Sequence, residues 1–469
     1  MKTPSVMRWV RDMIFSSVFS LLRRLVGLLF HLLVVIFNRC DVSFKRLLSL
    51  EKSESCVLRR SVLWRWKNVL VSQSSPSDFL AWSRRDFAPL RVLLKPDVTL
   101  YCVTSDSAVF VRCPPACHIY SSALSPFFYL AQFFHAEEIY LTSLRCFHRL
   151  AAEIAEDCRV PDTWLSSTGR CGSTMLAQIM ERVPGTVSIS EPDAILNIAA
   201  MAKSGQITSE QKRSLLKSAI SLLVFSAQNY IKLFSTGAHE IAEQPHFRVF
   251  IKTRAECLVL VEDIRDLFPC ITHVFMYRRL TTLLESFKQF AGALRTHWVR
   301  LVDSDVTAAV TSYFRMSTFL REFYGCEEEK NLVLDLVPYL SFVAIMVTAL
   351  SSQLKRVQRL QTQGCPFPAL LYDDILSDPT KTVGNLFDYL QIPREHLPTA
   401  LTAMKKRSQS GLSGVDTKKS PSVKSRDQLT SREWRDVQTV LSRFELPQIE
   451  DEVRFTQRVS LFKVLEPKY

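Results

Sequence analysis

The stretch TWLSSTGRCGSTML, residues 163–176, joins a strand-like run to a helix-like run through small residues and one arginine. Its first three residues favour a strand, its two glycines let the backbone approach a ligand, and residues 174–180 predict a helix. Backbone N–H groups at the helix N-terminus would converge on an anion together with the Ser173 and Thr174 hydroxyls and the Arg170 guanidinium. The stretch predicts a phosphate-binding turn; the alternative is a strand-to-helix turn without a ligand.

The spacing of the two glycines argues against an ATP-dependent kinase or NTPase. Such enzymes use G-x-x-x-x-G-K-[ST], in which a lysine and a magnesium-binding hydroxyl follow the second glycine. Gly169 and Gly172 are too close together for that motif, and no lysine follows them.

Three further strand-like runs follow, at residues 186–190, 248–253 and 272–277. They are rich in β-branched or aromatic residues, as expected for strands buried in a parallel sheet. Polar residues stand at their ends, where open α/β sheets bind ligands. Long helical patterns at Ser209 to Phe234 and Ala255 to Leu267 suit crossover helices. The fold class predicted is α/β, with a mainly parallel central sheet flanked by helices.

These residues resemble the PAPS-dependent sulfotransferases, a P-loop family whose donor is 3′-phosphoadenosine 5′-phosphosulfate. The family's first motif is a strand, a K/R-[SC]-G-[ST]-[ST] loop and a helix, which residues 170–174 match. Its second motif is a strand that ends in arginine, with a serine eight residues later, as Arg278 and Ser286 are spaced. Residues 370–379 are similar to its Y-E-D-L-x-x-x-P segment, and residues 407–411 stand where many members have a mobile loop. The resemblance covers residues 158 to 445.

The resemblance implies a donor site without a metal. The turn would hold the 5′-phosphosulfate, and Arg278 and Ser286 would hold the 3′-phosphate. The residues of the turn that it implies as donor-binding are Thr168, Gly169, Arg170, Cys171, Gly172, Ser173 and Thr174.

Two residues at strand ends are the candidates for catalysis. Lys252 would stabilise the leaving oxygen; the alternative is a solvated charge. Glu191 would act as general base, since carbohydrate-type members of the family have a comparable Glu-Pro; the alternative is a cap for the next helix. Cytosolic small-molecule members have a histidine base after Lys-Thr, where this chain has Arg254.

The chain of 469 residues is too long for one ordinary core, and its hydrophobic content of 47% gives ample material to bury. We expect a hydrophobic N-terminal segment (1–45), an accessory region (46–157) and a sulfotransferase-like domain (158–469). Within the accessory region, the sequence predicts a hairpin-like pair, Val98 to Thr104 and Ala108 to Cys113, and a helix from Glu137 to Glu156.

Residues 14–37 are apolar apart from small polar residues, Arg23, Arg24 and His31. Their length suits a membrane span, but the part free of Arg and Lys, residues 25–37, is short for one. The expectation is a single-pass anchor or interfacial helix, with a membrane-associated location such as the Golgi; the alternatives are a buried or targeting helix and a cytoplasmic protein.

The net charge of +13 is spread along the chain without a nucleic-acid-binding motif, so no nucleic-acid partner is expected. The predicted function is transfer of a sulfuryl group from PAPS to a hydroxyl or amine acceptor, with a carbohydrate slightly favoured. The alternatives are a non-catalytic nucleotide-binding or scaffold protein and a nucleotide kinase.

Overall fold

The structure is a computed structural model. It describes the following residues: 56–65, 73–82, 87–157, 160–234, 247–284, 286, 342–365, 367–405 and 430–446. The predicted helix at 14–37 and the loop at 407–411 lie outside these residues. Within the described part of the chain, no helix combines the length and the apolar character needed to cross a membrane.

The N-terminal part of the described chain contains an antiparallel sheet. Five strands follow the order β2-β1-β6-β5-β4, and β3 pairs with β1 beside β2. The predicted hairpin is confirmed as β4 and β5. The strands are β1 (Cys56–Arg65), β2 (Phe79–Trp82), β3 (Phe87–Pro89), β4 (Val98–Val103), β5 (Ser107–Arg112) and β6 (Glu138–Ser143).

The prediction of one helix from Glu137 to Glu156 is wrong, because its first part is the strand β6. This strand lies between β1 and β5 and forms hydrogen bonds with both. A helix then runs over Leu144–Glu153, and the Ser143 side chain caps it by accepting a hydrogen bond from the backbone N–H of Cys146. Sheet pairing on both sides of β6 outweighs the local helical pattern.

Among the residues that the structure describes, a second sheet has five strands, all parallel, in the order β11-β10-β7-β9-β8. The strand predicted at the start of the phosphate-binding turn is β7, at the centre of this sheet, and the three other predicted strands are β8, β9 and β10. The strands are β7 (Thr163–Ser167), β8 (Thr186–Ser190), β9 (Arg248–Lys252), β10 (Thr272–Tyr277) and β11 (Ala369–Leu371).

Helices connect the parallel strands, as the predicted crossovers require. The helix predicted from Ser209 to Phe234 is confirmed with those bounds, whereas the pattern from Ala255 to Leu267 forms a 3-10 turn, Ala255–Leu260, and then an α-helix. The α-helices are α1 (Phe128–His135), α2 (Leu144–Glu153), α3 (Ser173–Glu181), α4 (Asp193–Lys203), α5 (Ser209–Phe234), α6 (Val261–Leu267), α7 (Phe342–Thr362), α8 (Tyr372–Ser377), α9 (Pro379–Tyr389), α10 (Leu397–Leu401) and α11 (Ser431–Arg443).

Side chains alternate between the two faces of the parallel sheet, so each strand contributes to two cores. Trp164 and Ile251 belong to a cluster that also contains Leu100 of the antiparallel sheet and residues of α4 and α5. Leu165 and Phe250 belong to a separate cluster with residues of α3 and α9. The parallel sheet is therefore covered on both faces, so a ligand can approach it only at an edge, and open α/β sheets bind ligands at the carboxyl edge.

Candidate functional site

The predicted phosphate-binding turn lies at the carboxyl edge of the central strand β7. The backbone N–H of Thr168 donates to the carbonyl of Met276 in β10, which holds the start of the turn. Gly169, Arg170 and Gly172 all have positive φ, at 72°, 51° and 84°. An arginine in the left-handed region carries a conformational cost, a kind of strain that is common at ligand-binding sites.

Gly172 is required because an aromatic ring packs directly on it. A Cβ at this position would lie 2.3 Å from two ring atoms of Tyr372, the first residue of α8. Gly172 also stands at the N-cap of α3, so the backbone N–H groups of Ser173 and Thr174 begin a helix there. The turn thus presents helix N-terminal donors, as anion binding needs.

Cys171 is turned away from the ligand side. Its thiol is buried and donates to the carbonyl of Met276 at an Sγ–O distance of 3.4 Å. Burial raises the pKa of this thiol above its ordinary value. The Cys171 side chain therefore stabilises the turn through its contact with β10. The contribution to donor binding that the resemblance implies for Cys171 would come from its backbone.

Arg170, Arg278 and Ser286 come together on one flank of the turn. The Arg170 Nε donates to Ser286 Oγ at 3.3 Å, and burial together with the nearby Arg278 charge lowers the pKa of Arg170. Arg278 donates from Nε to Thr282 Oγ1 at 3.0 Å, and its guanidinium lies 5.0 Å from the centre of the Tyr372 ring. Two neighbouring guanidinium groups repel each other, and a bound anion would offset that repulsion.

Lys252 and Glu191 form a direct ion pair on the other flank. Lys252 Nζ donates to Glu191 Oε1 and lies 3.5 Å from Thr174 Oγ1 of the turn. Lys252 is only 1% exposed, so its interpretation as a solvated strand-end charge is wrong. The ring of Phe127 covers it, with Nζ 5.0 Å from the ring centre.

Glu191 does not cap the next helix, because Pro192 occupies the N-cap of α4 and Glu191 Oε1 faces Lys252. Its backbone has a φ of 59°, in the left-handed region, and its N–H donates to the Lys252 carbonyl at 2.6 Å. The end of β8 is thus bent so that the carboxylate turns toward β9. A strained backbone that aims a carboxylate at a buried lysine is typical of a functional site.

Sequence reasoning missed Arg254 as part of the site and noted it only in place of a histidine. Its Nε lies 3.5 Å from Glu191 Oε2, and its Nη2 lies 3.2 Å from Asp193 Oδ1. Its guanidinium lies 4.2 Å from the centre of the Tyr129 ring. Burial alone would lower the pKa of Arg254, but Asp193, Tyr129 and Glu191 outweigh it and raise that pKa above its ordinary value.

The turn therefore lies between two groups of charged side chains. Two arginines and a serine stand on one side, and a lysine–carboxylate pair stands on the other. The first group can hold an anion, whereas the second can move a proton and stabilise a leaving oxygen. These are the chemical capabilities of a site for group transfer from an anionic donor.

No protein-family model matches the sequence, and no curated protein matches it. Among solved structures, the chain is similar to a sulfotransferase from Alicyclobacillus acidocaldarius, with 13% identity, a TM-score of 0.28, and coverage of 61% of this chain and 96% of that one. It is also similar to the sulfotransferase domain from the curacin biosynthetic pathway, with 14% identity, a TM-score of 0.32, and coverage of 63% of this chain and 100% of that domain.

Proposed function

We propose that this chain is a PAPS-dependent sulfotransferase that transfers a sulfuryl group to a hydroxyl or amine acceptor, with a carbohydrate acceptor favoured. The observation that carries the proposal is the placement of Arg170 and Ser286 on one flank of the turn and of Lys252 and Glu191 on the other. A donor with two separated anionic groups fits this division.

The 3′-phosphate of the donor would lie between Arg170, Arg278 and Ser286. The resemblance implies Arg170 at the 5′-phosphosulfate instead, but its Nε donates to Ser286 Oγ at 3.3 Å, which favours the 3′-phosphate. Arginine binds phosphate oxygens through its planar fork, and a dianionic phosphate neutralises two neighbouring guanidinium groups. The 5′-phosphosulfate would lie over the backbone N–H groups of Ser173 and Thr174 and beside the Thr174 hydroxyl. Gly172, whose Cβ position is occupied by the Tyr372 ring, would also let the phosphosulfate approach the backbone closely.

In the transfer step, the acceptor oxygen attacks sulfur, and a new sulfur–oxygen bond forms while the bond to the bridging phosphate oxygen breaks. Glu191 takes the proton of the acceptor hydroxyl, and Lys252 stabilises the bridging oxygen as it gains negative charge. The products are the sulfated acceptor and 3′,5′-adenosine bisphosphate. Lys252 lies between Thr174 and Glu191, within reach of both the donor and the base.

Calorimetric titration of the full chain with 3′,5′-adenosine bisphosphate tests the donor site. We expect saturable binding that is lost in Arg278→Gln and retained in Arg279→Gln, a matched control whose side chain is exposed. Binding of ATP with magnesium in place of the bisphosphate, or no binding by the folded chain, would contradict the proposal. Binding of the bisphosphate without turnover of labelled PAPS by any acceptor would favour the scaffold alternative.

We also propose that residues 158–469 form the catalytic domain, residues 46–157 an accessory region and residues 1–45 a segment that associates with membrane through residues 14–37. Fractionation of cells that express the full chain tests the last point. Recovery in the membrane pellet after carbonate extraction supports an anchor at the Golgi or another membrane, and recovery in the supernatant supports the cytoplasmic alternative.

A further inference from the structure

A row of alternating charges links the phosphate-binding turn to a segment outside the parallel sheet. Each member contacts the next through a polar side-chain atom, and the row crosses from β9 through the end of β8 to the start of α4. In order from the turn, its members are Thr174, Lys252, Glu191, Arg254, Asp193 and Ser74.

Arg254 divides its guanidinium fork between two carboxylates. Nε lies 3.5 Å from Glu191 Oε2, while Nη2 lies 3.2 Å from Asp193 Oδ1. Packing on the Tyr129 ring holds the plane of the guanidinium. A planar guanidinium whose nitrogens face two directions can form ion pairs with two carboxylates at once.

Asp193 is itself anchored by a residue that precedes it by 119 positions. Its Oδ2 accepts hydrogen bonds from the Ser74 backbone N–H at 2.9 Å and from the Ser74 hydroxyl at 2.8 Å. The carbonyl of Ser74 in turn accepts from Asn197 Nδ2 at 3.0 Å. The Ser74 segment is therefore bonded to two successive turns of α4.

We propose that Arg254 is a positioning residue that holds Glu191 through Oε2, and that Asp193 and Ser74 hold Arg254 in turn. This inference rests on the proposed function, in which Glu191 is the base. When Lys252 turns from Oε1 to the leaving oxygen, Arg254 keeps the carboxylate aimed, so Oε1 becomes available to the acceptor hydroxyl. The segment around Ser74, which precedes β2, thereby contributes to catalysis without contact with substrate.

The pH titration of the Glu191 carboxyl carbon, followed by NMR of protein labelled with ¹³Cδ glutamate, tests this arrangement without substrate. The groups whose charge acts on Glu191 are Lys252, Arg254, Tyr129 and Glu256, and Asp193 acts on Arg254. Loss of the cation that lies 3.5 Å from Glu191 Oε2 should raise the pH midpoint of this resonance in Arg254→Gln relative to the wild-type protein. Asp193→Asn removes the other carboxylate that pairs with Arg254. Arg254 then pairs with Glu191 alone, so the pH midpoint of Glu191 should fall.

The opposite signs distinguish positioning by Arg254 from a general loss of structure, which would move both midpoints the same way. The resonance is assigned by its absence in Glu191→Gln. Arg213→Gln is the matched control, because Arg213 forms an exposed ion pair with Asp266 at 3.3 Å and should leave the midpoint unchanged. An unchanged midpoint in Arg254→Gln, or shifts of equal sign in the two variants, would overturn the inference.

If Arg254→Gln does not fold, as judged by circular dichroism, the direction of the midpoint shift in Asp193→Asn alone tests the inference. This variant should fold, since the amide nearly preserves the shape of the carboxylate. Calorimetry with 3′,5′-adenosine bisphosphate on the same proteins tests the proposed function separately. Failure of the wild-type chain to bind it refutes the donor site, whereas the NMR shifts still report whether Arg254 holds Glu191. With donor binding established, we expect Arg254→Gln to keep bisphosphate affinity within about threefold, because Arg254 does not contact the turn.

Discussion

The ring of Tyr372 packs on the Cα of Gly172 so closely that a Cβ at that position would lie 2.3 Å from ring atoms Cδ2 and Cε2. The same ring lies 5.0 Å from the Arg278 guanidinium. Tyr372 therefore joins the turn to the residue expected to hold the 3′-phosphate, and the shape of the turn depends on the position of α8.

Gly172→Ala should destabilise the protein by about 3 kcal/mol, because it combines left-handed strain with a steric clash. Gly169→Ala is the matched control: Gly169 has a φ of +72°, but its added Cβ would meet nothing within 4 Å, so only the conformational cost of about 1 kcal/mol remains. Urea unfolding measures both values. Equal losses in the two variants would show that Tyr372 yields to the added methyl group.

Removal of Glu191 and removal of Lys252 should lower the free energy of unfolding by different amounts. In Glu191→Gln, Lys252 stays buried with only a neutral amide and Thr174 Oγ1 at 3.5 Å, so we expect a loss of about 3 kcal/mol. In Lys252→Met, Glu191 keeps Arg254 at 3.5 Å, and the loss should be about 1 kcal/mol. Chemical unfolding at neutral pH compares them, and a larger loss in Lys252→Met would contradict this ranking.

Glu191→Gln and Lys252→Met should both lose turnover of labelled PAPS. Glu191→Gln should still bind 3′,5′-adenosine bisphosphate. The proposed base is needed only when the acceptor hydroxyl loses its proton, whereas the proposed donor contacts are made by Arg170 and Arg278. Calorimetry and turnover measured on one preparation separate the two effects. Retained turnover in Glu191→Gln would eliminate it as the base.

Four of the five described strands of the parallel sheet, β7 to β10, were predictable because each is a short run with β-branched or aromatic residues and a polar residue at its end, whereas β11 (Ala369–Leu371) has no β-branched or aromatic residue and was not predicted. That pattern is local, and so is the glycine-rich turn, whereas the prediction that Arg170 and Ser286 belong to one donor site came from the resemblance to the sulfotransferases. The strand Glu138–Ser143 was missed because it continues without a break into a helix, and only its pairing with β1 and β5 distinguishes it.

The contact of Arg254 with Asp193, and of Asp193 with Ser74, had no signal in the sequence. Ser74 precedes Asp193 by 119 residues, and single serine, aspartate and arginine residues carry no motif. Such contacts arise from the packing of α4 beside the segment that precedes β2, which periodicity does not encode. Only the departure from a Lys-Thr-His pattern at Arg254 pointed to this position.

Cys171 should be inert toward thiol reagents in the folded protein although it lies within the turn. Its thiol is buried, and the raised pKa keeps it protonated at neutral pH. Cys270 is exposed and provides the internal control. Peptide mapping after brief treatment with iodoacetamide should find Cys270 modified and Cys171 unmodified, and modification of both at equal rates would show that the turn opens readily.

His273 should make the folded protein sensitive to mild acid. It lies in β10, and neither ring nitrogen has a hydrogen-bond partner among the described residues. Burial, with a smaller effect of Arg265, lowers its pKa from 6.5 to about 4. Below about pH 6.5, His273 binds a proton in the unfolded chain but not in the folded chain. The free energy of unfolding therefore falls as the pH falls. Above pH 6.5 the neutral His273 leaves the free energy of unfolding at its full value, and by pH 4 about 3 kcal/mol of that free energy is lost.

Urea unfolding between pH 7.5 and 4.5 should therefore show that the free energy of unfolding declines less steeply with falling pH in His273→Leu than in the wild-type protein. Parallel curves for the two would mean that the imidazole accepts its proton in the folded state, and the buried position of β10 would then have to open to water in acid.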